Sequence, residues 1–231
     1  YLFVWQIALL LLCWIDLQRM MNMSKNQTLD DFYKQFREEV LCACDTETSG
    51  WTTDDFLTAV MLEYLEEAGE ATDPIICPFR DRGLQMNAYA FSEDYDSVDI
   101  FVSIYSDTEM PRSVSQTDIE VAIKRAIQLY HRAVNDLYTS FQKDNDTYEF
   151  AISVFKNRDV IKNVRICALT NGLVKPIALK NITISGAEVS FSLWDIDRLY
   201  RCVTSGKMRE TIEIDFEEKF QTTIPCIENS T

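Results

Sequence analysis

Histidine is nearly absent from this chain. Among 231 residues only His131 occurs, and it falls inside a helical pattern. Triad hydrolase chemistry is thereby left without its imidazole, and an H-E-x-x-H zinc site has no ligand pair. Glycine and proline are also scarce, at 6 and 5 residues, so no long flexible linker separates folded parts. Neither G-x-x-x-x-G-K-[ST] nor G-x-G-x-x-G is present, which removes the usual phosphate-cradling loops. Cysteine is not rare, but its pattern is uninformative for metals. Cys13, Cys42, Cys44, Cys77, Cys167, Cys202 and Cys226 include no C-x-x-C pair, so neither a zinc ribbon nor a dithiol redox motif is encoded. Scattered single cysteines read as small apolar residues of a reducing compartment. Positive charge is in deficit too: 22 basic against 37 acidic residues give a net charge of -15. A field of that sign repels phosphate backbones and disfavours generic nucleic-acid binding.

What is present is a folded chain: 47% of residues are hydrophobic and 26% charged, an ordinary globular balance. The stretch Tyr1 to Ile15 is apolar but shorter than the roughly 20 residues needed to cross a bilayer. It lacks a basic flank before it and a cleavage site after it. Residues 1–23 are therefore expected to lie upstream of the native protein, with translation starting at Met20, Met21 or Met23. A signal or anchor is the alternative, and membrane contact is expected only if residues 1–19 are native.

Beyond that point the periodicities are clear. Leu29, Phe32, Tyr33, Phe36 and Val40 predict a helix over 29–43 with Thr28 as N-cap. Thr52 or Thr53 caps a second helix that carries Asp54 and Asp55 in its first turn and ends at Gly69. Ile75–Phe79 reads as an edge or short strand because of Pro78. The runs 84–91 and 98–105 read as strands of a hairpin turning at 92–97. A long helix follows from Ser115 or Thr117 to about Tyr138, then a helix over 146–157 and a strand over 163–170. Asn171-Gly172 closes this unit. The remainder suggests a hairpin turning at Ser185-Gly186, a helix over 194–203, and strands at 211–216 and 223–226. On that helix, spacing predicts an i,i+3 ion pair from Asp195 to Arg198.

Two segments carry a resemblance. SFSLWDIDRLYRCVTSGKMRETIEIDFEEKFQTTIPCIE, Ser190 to Glu228, resembles the entry into the domain of the abortive infection phage resistance (AIPR) family. That family has a W-D-I-x-R-L helix, a small-Gly turn, an I-E-I-D-F strand and an I-P-C strand in this order. MNAYAFSEDYDSVDIFVSIY, Met86 to Tyr105, is similar to the family's N-terminal region. The resemblance implies a cytoplasmic phage-defence protein. Residues 24–172 would form its nuclease-like N-terminal domain, and 173–231 the truncated beginning of the AIPR domain. It also implies a fold class: an α/β mixed sheet flanked by helices, with a restriction-endonuclease-like core and an incomplete α+β segment after it. Partners would be a further copy of the chain or another defence protein.

Helix, three strands, helix, strand is the core order of PD-(D/E)xK nucleases. Their chemistry needs an Asp on the second core strand and Glu/Gln-x-Lys on the third. The carboxylates hold Mg²⁺ and the lysine positions the attacking water. Here the second strand offers Asn87 and the third offers VSIY at 102–105, with no lysine anywhere between Lys34 and Lys124. Asp99 begins the third strand and Glu63 lies on the preceding helix. Glu63, Asn87 and Asp99 are thus the candidates for a migrated active site using Mg²⁺. The plainer reading makes Glu63 a surface acid and Asp99 a strand-end residue, with no cofactor and no catalysis. Aromatic residues follow the core periodicities and do not interleave with basic ones, so no stacking platform for nucleic acid is expected.

Overall fold

The computed structural model describes residues 28–45, 50–177 and 179–205. Residues 1–23 and the strands expected at 211–216 and 223–226 lie outside the described residues.

Helix α1 (Leu29–Cys44) starts as its sequence dictates: the Asp31 N–H donates to Thr28 Oγ1, and the Thr28 N–H donates back to Asp31 Oδ2, both at 3.3 Å. Phe32, Tyr33, Phe36 and Val40 are its buried stripe. Helix α2 (Thr53–Glu67) begins at Thr52 and is closed by Gly69 in the left-handed region, φ +72°. Strands β1 (Ile75–Asp81), β2 (Leu84–Phe91) and β3 (Ser97–Ile104) follow as an antiparallel meander. Arg82 and Gly83, both at positive φ, make the tight turn between the first two. β1 is the edge strand that Pro78 requires, and its register against β2 shifts between Ile76 and Phe79.

Helix α3 (Gln116–Asn135) stops short of the expected Tyr138. Asp136 leaves helical geometry at φ -146°, and Leu137–Ser140 continue as a single 3-10 turn. Helix α4 (Asp146–Asn157) is capped by the Asn145 side chain, which accepts from the Thr147 N–H at 2.8 Å. β4 (Asn163–Thr170) pairs parallel with β3. β5 (Ile182–Ile184) and β6 (Ala187–Trp194) form the expected hairpin over Ser185-Gly186, both at positive φ. Helix α5 (Ile196–Thr204) begins two residues later than expected, because Trp194 completes β6 and Asp195 is the N-cap.

The six strands make one mixed sheet in the order β1-β2-β3-β4-β6-β5, which runs across the boundary expected at 172/173. Alternation along the central strands splits the core in two. Val98, Ile100, Val102, Val164, Ile166 and Val189 face α3 and α4. Phe101, Cys167 and Leu169 face α1, α2 and α5. The chain is thus α/β, a mixed sheet flanked by helices on both faces, with the helix and strand order expected of a restriction-endonuclease-like core.

Burial sets the behaviour of two thiols. Burial pushes Cys77 from the usual 9.0 up to about 11 and Cys167 up to about 12. Both pKa values are raised on folding, so this stability is complete below pH 9 and is lost as pH rises through 11 to 12. At pH 8 the exposed Cys42 is expected to react with iodoacetamide while Cys77 and Cys167 stay unmodified until the chain unfolds. Peptide mass mapping before and after urea checks this. Native labelling of Cys77 would contradict it.

Candidate functional site

The most polar buried region lies where β2 and β3 part beside the first turn of α2. Backbone pairing of these strands covers Ala88–Phe91 against Phe101–Val98. Strict alternation also breaks here. Met86 and Tyr89 join the core under α3, whereas Ala88 joins the one under α2. Beyond Ala88, side chains take over from the ladder. Asn87 Oδ1 accepts from the Ser103 N–H at 2.9 Å, and Gln85 Nε2 reaches the Ser103 carbonyl at 3.5 Å.

Helix α2 supplies the carboxylates. Asp55 Oδ1 accepts from the Asn87 side-chain amide at 2.7 Å, and its Oδ2 accepts both the N–H and the hydroxyl of Thr52, each at 2.7 Å. The amide orientation is forced, since Ser103 offers a donor and Asp55 an acceptor. Asp55 and Asn87 are 4% and 2% exposed, which makes unmet hydrogen bonds costly here. Asp54 Oδ1 accepts from the Tyr105 N–H at 2.7 Å, and its Oδ2 pairs with Arg80 at 3.1 Å. The Thr58 hydroxyl donates to the Asp54 carbonyl, so the 2.6 Å contact with Ser103 must have the Ser103 hydroxyl as donor. Arg125 of α3 donates to Gln85 Oε1 at 3.3 Å.

Two recesses flank this cluster. One of about 230 Å³ is lined by Thr52, Asp55, Arg80 and Asn87 among others. The other, about 310 Å³, is lined by Asp54, Arg80, Gln85, Tyr105, Asp118 and Arg125. The chemistry available is hydrogen bonding, with Asp54, Asp55 and Asp118 set against Arg80 and Arg125.

The three residues singled out from sequence are not brought together by these contacts. Asn87 is at the centre of the cluster. Asp99 lies four residues before Ser103 on β3, roughly 13 Å along the strand. There it is held by its parallel partner Arg165, whose Nε donates at 3.0 Å and whose Nη2 makes a second, shorter bond. The same Nη2 donates to the Glu70 carbonyl at 3.1 Å. The Asp99 hydrogen bonds raise the Arg165 pKa further, so the guanidinium stays charged. Glu63 is exposed on α2. Sequence reasoning did not find Asp55, Arg80 or Arg125. Asp55 carried only the signal of a helix first turn, and the two arginines come from an edge strand and a helix far away in sequence.

Mg²⁺ demands octahedral oxygen ligands at about 2.1 Å. Each side-chain oxygen of Asp54, Asp55 and Asn87 already accepts at least one hydrogen bond, and the position beside Asp55 Oδ1, where a shared ion would sit, is taken by the Asn87 N–H. These residues do not fit the ion as arranged. Among the described residues, no group of three or more His, Cys, Asp or Glu is placed to share a metal.

A second polar feature lies at the start of α5. The ion pair expected from Asp195 to Arg198 does not form. The Asp195 carboxylate accepts instead from the backbone N–H groups of Arg198 and Val174, at 2.8 and 3.0 Å. The Arg198 guanidinium lies 3.6 Å over the Trp194 ring and donates to the Leu193 carbonyl at 2.7 Å. Capping wins because a backbone N–H at a helix start has no other partner. The W-D-I-x-R segment is therefore a fastener between β6, α5 and the loop after β4.

A family model, the abortive infection phage resistance protein N-terminal domain, matches residues 57–201. No curated protein and no solved structure matches the chain.

Proposed function

The chain belongs to the abortive infection phage resistance family through its N-terminal domain, which takes in well over half its length, and from that premise we propose that this α/β unit is a non-catalytic module of a phage-defence protein. One observation carries the reading. The place between β2 and β3 where a nuclease of this architecture would gather metal ligands is closed by the Asp55–Asn87–Ser103 hydrogen bonds. The cations nearby, Arg80 and Arg125, are engaged by Asp54 and Gln85.

The unit works through protein contacts, with a further copy of the chain or another defence protein. Its net charge of -15 opposes a polyanionic partner. Its free cysteines suit the reducing cytoplasm, and among the described residues no helix is long and apolar enough to cross a membrane.

Phage challenge tests the proposal. Cells carrying the gene with Glu63→Gln or Asp99→Asn are expected to form plaques at the same efficiency as cells carrying the unaltered gene. Loss of protection by either variant, with the purified protein still folded, would speak for a carboxylate that does chemistry.

A further inference from the structure

We infer that the Asn87 side-chain amide holds the place of a cation, so that this site lies one substitution away from binding a divalent metal. The inference rests on the non-catalytic reading above but reads out differently, through stability instead of cleavage.

A carboxylate as buried as Asp55 needs positive charge or several donors around it. Its donors are neutral: the Thr52 N–H and hydroxyl on one oxygen, the Asn87 amide on the other. They act at the N-terminal end of α2, where the backbone dipoles also favour negative charge. Asn87 does two jobs at once. Its N–H₂ satisfies Asp55 on the helix while its oxygen satisfies the Ser103 N–H on β3. The result ties helix, β2 and β3 together where the ladder between the strands has ended.

Replacing that amide by a carboxylate keeps the shape and the bond to Ser103 but sets two carboxylates at hydrogen-bond distance. Such a pair persists only by sharing a proton or a cation. The recess of about 230 Å³ that both residues line gives an ion and its waters a way in. Two convergent carboxylates with retained waters make a site for Mg²⁺ or Mn²⁺, which a single carboxylate facing an amide does not.

The experiment compares melting of the whole chain, Asn87→Asp, and the exchanged pair Asp55→Asn/Asn87→Asp, each in EDTA and in millimolar Mn²⁺. In the exchanged pair, the amide at 55 can still accept from Thr52 and donate to the carboxylate at 87, which accepts from Ser103. In EDTA, Asn87→Asp is expected to melt roughly 5–10 °C below the unaltered chain, and the exchanged pair to recover most of that loss. Mn²⁺ is expected to raise the melting temperature of Asn87→Asp by several degrees and to leave the other two unmoved. If Asn87→Asp does not fold in EDTA, refolding it with and without Mn²⁺ gives the same comparison. An exchanged pair no more stable than Asn87→Asp overturns the bridging role. An Asn87→Asp protein indifferent to Mn²⁺ overturns the latent metal site, and Mn²⁺ stabilisation of the unaltered chain overturns the claim that the amide holds the cation's place. Cleavage by the unaltered chain would instead undo the non-catalytic reading, whatever the melts show.

Discussion

Gly172→Ala is expected to lower stability by about 3 kcal/mol, a fall in Tm of roughly 10 °C. The cause is space. A Cβ at this position would lie 2.3 Å from Val114 Cγ2 and 2.8 Å from the Arg112 carbonyl oxygen. Val114 can turn away, but the carbonyl cannot, because it accepts the Leu173 N–H at 2.8 Å. The Val114 N–H in turn donates to the Leu173 carbonyl at 2.9 Å, so this crossing of two segments is fixed from both sides. The neighbouring Asn171, wholly buried, grips the Ser106 N–H and carbonyl at 2.7 and 2.8 Å. Adding Val114→Ala to Gly172→Ala removes the closer clash and is expected to restore about half of the loss, a coupling that paired melts would reveal. A Gly172→Ala protein that melts with the unaltered chain would show that the crossing can move.

Asp99→Ala is expected to cost about 2 kcal/mol, discounted from the 3–5 kcal/mol of a fully buried pair because both partners keep some solvent contact. The Arg165 and Asp99 side chains are 35% and 20% exposed, and removal of the carboxylate leaves a half-buried guanidinium with the Glu70 carbonyl as partner. Asp99→Asn keeps an acceptor and is expected to lose less than half as much. Urea midpoints of the two variants decide the matter. Equal losses would mean that a neutral acceptor recovers nothing and that the charge of Asp99 carries the pair. This structural role matters for any functional assay, since loss of activity in Asp99→Ala alone would not separate chemistry from folding.

The helices and most strands were legible in sequence for identifiable reasons. Thr28 and Asp31, Pro78 at an edge, and Ser185-Gly186 are local signals whose physics does not depend on the rest of the chain. Errors arose where tertiary contacts decided. Trp194 looks helical by spacing, yet pairing with Leu169 on β4 extends β6 through it. Asp195 and Arg198 are spaced for an ion pair, yet orphan N–H groups claimed the carboxylate and an indole claimed the guanidinium. The candidate site was legible only in part. Asn87 was visible as the wrong residue on the second core strand. Its bond to Asp55 was not, because the contact joins residues 32 positions apart and depends on how α2 lies over the parting strands. Asp99 as a metal ligand looked open because its parallel partner Arg165 cannot be read from a single sequence.

A cleavage assay on the purified chain tests the non-catalytic reading most directly. Single- and double-stranded DNA and RNA are incubated with the protein at low salt, in Mg²⁺ or in Mn²⁺. The expected result is no cleavage above the protein-free control in any combination. Metal-dependent cleavage that disappears in Asp55→Asn or Asp99→Asn, with circular dichroism showing each variant folded, would contradict it.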